Sequence, residues 1–265
     1  MKIIKSILTP LMGKSRYQDF FERLYLISLR GMYIGEGTSA RTSGEANAIK
    51  YVYERLKNIN GVTIFDVGAN IGEYAILLSG IFKENTRILC FEPSAKTYQK
   101  LNENTKAIAS ISLYNIGFGN EDTKVRLFSN ADESGLASVY NRRLNHFGIN
   151  MDRSEEIDIR TIDGFCKSNA VNHIHFLKLD VEGHEIKVLE GARNLIAAKG
   201  IDFIQFEFGG CNIDSRTFFQ DFFYLLKDNF HIYRIVGDGL YKIKYYREIY
   251  ESFITTNYLA ERVGM

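Results

Sequence analysis

Three clusters carry the residue types most able to do chemistry. In Asp66-Val67-Gly68-Ala69-Asn70-Ile71-Gly72-Glu73-Tyr74, Gly68 and Gly72 let the backbone turn sharply and approach a ligand without a Cβ in the way. Phe91-Glu92-Pro93 ends a short apolar run with a carboxylate suited to accept hydrogen bonds from both hydroxyls of a ribose. Asp180-Val181-Glu182-Gly183-His184-Glu185 ends another such run. Loop and acid together indicate a nucleoside-bearing cofactor. A dinucleotide fingerprint would need glycines where Gly68, Asn70 and Glu73 stand, and Glu73 at a helix start would repel a pyrophosphate. A cofactor without phosphates is preferred. S-adenosylmethionine meets that demand, with a ribose for Glu92 and an ammonium for Asp66 and backbone carbonyls.

These clusters require strands to deliver them. Val62 to Val67 is a short apolar run stopped by glycine, and Tyr74 to Phe82 resumes a helical rhythm. Arg87 to Glu92, Ala95 to Ala107 and Ile111 to Asn115 repeat the alternation as strand, helix and strand. Runs this apolar suit parallel strands covered on both faces, and open parallel sheets bind ligands at their carboxyl edge where strand order reverses. Lys124 to Ser129 and Glu156 to Thr161 alternate by twos around a polar stretch, Gly135 to Arg153, expected as a mobile loop that helps close the site. His175 to Val181 and Phe203 to Glu207 read as strands, and Ile186 to Ala198 and Phe218 to Phe230 as helices. His231 to Val236 and Leu240 to Tyr246 read as an antiparallel hairpin around Gly237-Asp238-Gly239. Residues 1–44 form an irregular helical extension ending in the turn-rich run Gly35 to Gly44, and residues 45–265 form the regular domain, opened by a helix from Glu45 to Asn58.

FDVGANIGEY (Phe65 to Tyr74), FEP (Phe91 to Pro93), LKLDVEGHEIKVLEGA (Leu177 to Ala192), QFEFG (Gln205 to Gly209) and NYLA (Asn257 to Ala260) resemble, in order and spacing, the FkbM-type methyltransferases. The resemblance covers roughly residues 45 to 262. It implies a class I methyltransferase fold: a Rossmann-like, doubly wound, mostly parallel seven-stranded sheet ordered 3-2-1-4-5-7-6, consistent with the antiparallel C-terminal hairpin. It also implies that Asp66, Gly68, Asn70, Gly72 and Tyr74 line the methionine part of the cofactor and Glu92 its ribose. Ser94, and more weakly Asn115 and Gly117, would lie toward the adenine. Tyr74 has a second reading as a helix residue packed on the sheet. FkbM-like proteins are associated with polysaccharide, glycolipid and natural-product tailoring, so the implied acceptor is a hydroxyl on a sugar, glycan or glycolipid precursor, or else another small molecule.

A hydroxyl is a poor nucleophile near neutral pH, so transfer needs a nearby base, a divalent metal, or both. Asp180, His184 and Glu207 are the catalytic candidates, with Asp180 also beside the cofactor. Glu185 is expected instead to favour the start of the following helix. Gly68→Val is expected to abolish cofactor binding more severely than Gly191→Ala, since Gly68 turns the chain beneath the cofactor and Gly191 lies within that helix. His173 and His175, two apart at a strand start, are expected to be structural, since that spacing is a weak metal signature.

Composition agrees with one soluble enzyme domain. The 265 residues are 45% hydrophobic and 25% charged, ordinary globular values. With 33 basic against 32 acidic residues the net charge of +1 gives no general field to collect nucleic acid. Cys90, Cys166 and Cys211 suggest neither a disulfide framework nor a zinc site, which fits a cytoplasmic protein. No transmembrane segment or signal peptide is read. Ile3, Ile4, Ile7, Leu8 and Leu11 recur at helical spacing among lysines, which would suit peripheral membrane contact or, more ordinarily, packing on the chain's own domain. A nicotinamide-dependent oxidoreductase would share the sheet but not the glycine pattern, and a non-catalytic binding module would not need the intact DVGANIG and DVEGHE segments.

Overall fold

The central strand β1 (Val62–Val67) pairs in parallel with β2 (Thr86–Phe91) on one side and β7 (Ile174–Leu179) on the other. The structure is a computed structural model that describes residues 6, 8–36, 43–83 and 86–265. Outward from β2 lies β3 (Ile111–Tyr114); outward from β7 lie β8 (Ile201–Phe208), β11 (Thr256–Arg262), β9 (Phe230–Val236) and β10 (Gly239–Ile243). The order β10-β9-β11-β8-β7-β1-β2-β3 contains the 3-2-1-4-5-7-6 arrangement, with β11 as the antiparallel seventh strand. The sheet has eight strands where seven are expected, because the hairpin partner β10 adds an edge. Strand order reverses between β1 and β7, so the crevice that such a sheet offers a ligand lies above the ends of those two strands.

Helices cover both faces. Phe65, Phe91, Leu177 and Phe206 are buried in one core cluster, whereas Ile64, Ile88, Phe176 and Phe203 are buried in another, as the two-residue strand period requires. The second cluster lies under α2 (Glu45–Leu56) and α3 (Glu73–Phe82) and against α4 (Ala95–Thr105); α1 (Gln18–Gly31) precedes them. The first is packed by α5 (Ile162–Ser168), α6 (Glu185–Glu190), α7 (Arg193–Ala197) and α9 (Phe219–Leu226), with α8 (Cys211–Ser215) between. A small sheet of β4 (Gly117–Phe118), β6 (Arg153–Arg160) and β5 (Thr123–Ser129) stands beside the crevice.

The helix expected from Ile186 to Ala198 is broken into α6 and α7. A Cβ at Gly191 would lie 2.0 Å from the Gly119 carbonyl oxygen, so the chains touch there, and Asp163 donates its N–H to the Gly191 carbonyl at 3.0 Å. The Asp163 carboxylate then accepts the Asn194 and Leu195 N–H groups at 2.9 and 3.0 Å, capping the restarted helix. Gly191 therefore has no room for a methyl group. No helix among the described residues is long and apolar enough to cross a membrane. Ile3, Ile4 and Ile7 lie outside the described residues, as do residues 37–42 of the turn-rich run, while Leu8 and Leu11 are half-buried.

Candidate active site

Sheet register assembles the site in two levels on the α2 and α3 face. Asp66 on β1 pairs with Lys178 on β7, and Lys178 with Gln205 on β8, which sets these three side chains side by side below the edge. Two residues further along each strand come Gly68, Asp180 and Glu207, the last opposite Asn257 of β11. Lys178 is buried, with its ammonium 3.4 Å from Asp66 Oδ1, 3.2 Å from Asp180 Oδ2 and 3.4 Å from the Gly68 carbonyl oxygen it donates to. Those carboxylates raise the ammonium pKa against the opposing effect of its burial. Tyr74 lies beneath, its ring 5.0 Å from the Lys178 ammonium and its hydroxyl donating to Gln205 at 2.8 Å. Gln205 in turn donates to Glu45 at the start of α2 at 2.6 Å. Lys178, Gln205 and Glu45 are absent from the sequence-based candidates. Their significance comes from cross-strand neighbours, and a positive charge inside an otherwise apolar strand was the available signal.

The loop after β1 explains its own residue types. Gly68 has φ of 79°, and a Cβ there would lie 1.8 Å from the Asp180 carbonyl oxygen, so close packing on the β7 end excludes any side chain. Gly72 packs on α4, where a Cβ would meet Leu101 and Thr105 within 2.9 Å. Asp66 is fully buried against Lys178 and borders neither cavity described below. Its burial pushes its carboxyl upward, partly offset by Lys178.

Glu92 is held from both sides: its Oε2 accepts the Asn70 N–H and its Oε1 the Ser94 N–H, each at 3.0 Å. Burial pushes its carboxyl up to about 7, the two backbone bonds pulling the other way. The Ser94 hydroxyl donates to Glu155 Oε1 at 2.6 Å, and Asn115 donates to the Glu92 and Pro93 carbonyl oxygens at 2.8 and 3.0 Å. Both brace the FEP turn and neither lines a cavity; Gly117 does.

Two cavities meet over the loop. The first lies between Gly68, Asn70, Glu92 and Pro93 on one side and Phe118 and Ile159 of the small sheet on the other. The second lies on the α2 side, bordered by Glu45, Tyr74, Lys178, Glu207 and Asn257. Gly68, Asn70, Gly135 and Asp180 border both. His184 borders only the first, its Nδ1 3.1 Å from the Tyr140 hydroxyl, and burial pushes its imidazole down to about 4. Glu207 borders only the second; burial, then neighbouring Asp180, Glu182 and Glu185, raises its carboxyl well above the usual range.

The turn carrying Asp180 is itself fastened. Glu185 Oε1 accepts the Val181 and Gly183 N–H groups at 3.0 and 3.2 Å, so Glu185 holds the turn at the head of α6. The segment between β5 and β6 docks on it: Ser138 donates to the Glu182 carbonyl oxygen at 2.7 Å, and the buried Arg142 guanidinium pairs with the Glu182 carboxylate. On the opposite edge of the sheet, His173 lies 2.8 Å from Asp202, which also pairs with Arg262 at 2.9 Å. His175 accepts the Thr63 N–H on Nδ1 at 3.0 Å, which puts the proton of the neutral ring on Nε2 and leaves it no free lone pair. His173, His175 and Asp202 thus stand together at this edge, one ligand-type atom of each within 4.8 Å of the others.

Fold and site define two cavities that meet where strand order reverses. Residues 66–234 match the model of the methyltransferase FkbM domain, and the chain belongs to that family. It is similar to the hexuronic acid methyltransferase AglP of Haloferax volcanii, 26% identical over 164 residues that make up 61% of this chain and 61% of that one. It is also similar to the 2-O-methyltransferase NoeI of Sinorhizobium fredii, 22% identical over 142 residues, 50% of this chain and 58% of that one. The chain spans about three-fifths of the length of these curated relatives. Among solved structures, it matches Aeropyrum pernix fibrillarin with bound S-adenosyl-L-methionine at a TM-score of 0.42 and 13% identity, over 81% of this chain and 76% of that one.

Proposed function

We propose that this chain transfers the methyl group of S-adenosylmethionine to a hydroxyl group of a sugar, glycan or glycolipid precursor. The observation that carries the reading is the junction of the two cavities at Gly68, Asn70 and Asp180, one cavity suited to a nucleoside and the other open to an acceptor. The first cavity fits the cofactor: Glu92 retains lone pairs for ribose hydroxyls, and Asn70 Oδ1 is buried without a hydrogen-bond partner. Glu92, Asn70 and the Gly68 backbone would hold it, with Pro93, Gly117 and Phe118 beside the base. Bound there, S-adenosylmethionine supplies an electrophilic methyl group. The names of the two curated relatives, one for a hexuronic acid and one for 2-O transfer, support a sugar oxygen as acceptor. The three buried, free cysteines support a reducing, cytoplasmic setting.

Within the second cavity, Asp180 is aimed by Lys178, and Glu207 takes the acceptor proton. A carboxyl raised by burial well above its usual range is a stronger base than an ordinary one, while an imidazole pushed down to about 4 is a weak one. Turnover should therefore rise with pH through a single group as Glu207 ionises. Glu207→Gln should remove that limb and lower kcat by about 10²–10⁴-fold with little change in cofactor affinity. His184→Ala should act mainly on cofactor binding, because His184 borders the first cavity alone. Full turnover by Glu207→Gln on a verified acceptor would refute this assignment, and loss of activity in EDTA with rescue by a divalent ion would transfer the proton-acidifying role to a metal.

A further inference from the structure

The second cavity is unbalanced in charge. Among the described residues five carboxylates border it, those of Glu45, Glu73, Glu133, Asp180 and Glu207, and Lys178 is the one basic residue on its wall. That ammonium already lies within 3.4 Å of the Asp66 and Asp180 carboxylates, which balance its charge, and donates to the Gly68 carbonyl oxygen. Glu45 is engaged as well, accepting from Ser43 at 2.5 Å and Gln205 at 2.6 Å. Glu207 receives no hydrogen bond from the described residues, and Asn70 adds a buried, unpartnered Oδ1 where the cavities join. The wall thus offers acceptors to a ligand's hydroxyl or amine donors. A carboxylate or phosphate brought into it would find like charge and, among the described residues, no free cation.

Building on the methyl-transfer reading, we propose that the acceptor ring seated in this cavity is a non-anionic sugar, uncharged or aminated, and not a uronic acid or sugar phosphate. Glu207 takes a hydroxyl proton of the ring in a hydrogen bond, and Glu73 and Glu133 at the exposed rim turn anionic rings away. In this the chain departs from the relative named for a hexuronic acid, with which it shares 26% identity.

The test uses the whole chain, methyl-labelled S-adenosylmethionine and three matched p-nitrophenyl glycosides: glucoside, glucosaminide and glucuronide. The first two should be methylated with kcat/KM at least about tenfold above the glucuronide, as juxtaposed like charges require. In the Glu73→Gln, Glu133→Gln double variant the glucuronide should gain about threefold and the glucoside change less than about twofold, the range of exposed charge effects. A glucuronide rate equal to or above the glucoside rate overturns the proposal, and so does an unaltered ratio in the double variant. If none of the three is methylated, saturation-transfer NMR on the chain loaded with S-adenosylhomocysteine makes the same comparison. Signal from the glucoside without the glucuronide supports the proposal; equal signals, or none, overturn it. Failure to bind S-adenosylmethionine would instead overturn the methyl-transfer reading itself.

Discussion

Glu92 shows how one side chain can serve loop and ligand together. Each of its oxygens already takes a backbone N–H, so the carboxylate fastens the Asn70 turn to the FEP turn before any ribose arrives. Its folded pKa of about 7 lies above the ordinary 4.5, so the empty site favours the protonated form up to neutrality. Ribose hydroxyls donate to the carboxylate and favour the ionised form. Cofactor affinity should therefore increase as pH rises from 5 to 8 and level off above about 7. Calorimetry across that range checks this, and a flat profile in the wild type would remove Glu92 from the ribose site. Glu92→Gln should weaken binding by about 1.5–3 kcal/mol at pH 8, since its NH2 would face a backbone N–H where an oxygen now accepts. Glu92 and Asp180 were legible as site candidates because they end apolar runs. Lys178, Gln205 and Glu45 were not, because their partners stand on other strands and only sheet register brings them together.

At the scale of elements, two glycines do similar work at different ends of the fold. Gly68 presses on the Asp180 carbonyl and Gly191 on the Gly119 carbonyl, each too close for a methyl group. Gly68→Ala and Gly191→Ala should both destabilise the fold, by about 1–3 kcal/mol or more, as overpacking against backbone does. Denaturant unfolding of the two variants measures it, and an unchanged midpoint for Gly191→Ala would contradict the contact. The sequence supports β1, β2, β3, β7, β8 and the hairpin, because buried parallel strands leave unbroken apolar runs and the hairpin has its glycine turn. The break between α6 and α7 left no periodicity signal, since Gly191 continues the helical spacing while Asp163, thirty residues upstream in another helix, supplies the cap. The motif residues Asn257 to Ala260 were visible, but their insertion between β8 and β9 depends on long-range pairing.

For the molecule as a whole, the sheet acts as a partition whose edge both cavities share. The reversal of strand order between β1 and β7 opens the crevice, the small sheet walls the first cavity, and α2 with β11 walls the second. The segment from Gly135 to Arg153, expected as a mobile closure, is tied to the Asp180 turn through Ser138, Tyr140 and Arg142, so the cover and the catalytic turn form one piece. All of this presupposes one cofactor. The most direct measurement is calorimetric titration of the whole chain with S-adenosylmethionine and, separately, with NADH. One S-adenosylmethionine should bind per chain, its heat abolished or sharply reduced in Glu92→Ala, with no saturable response to NADH; tight NADH binding and no response to S-adenosylmethionine would contradict the account.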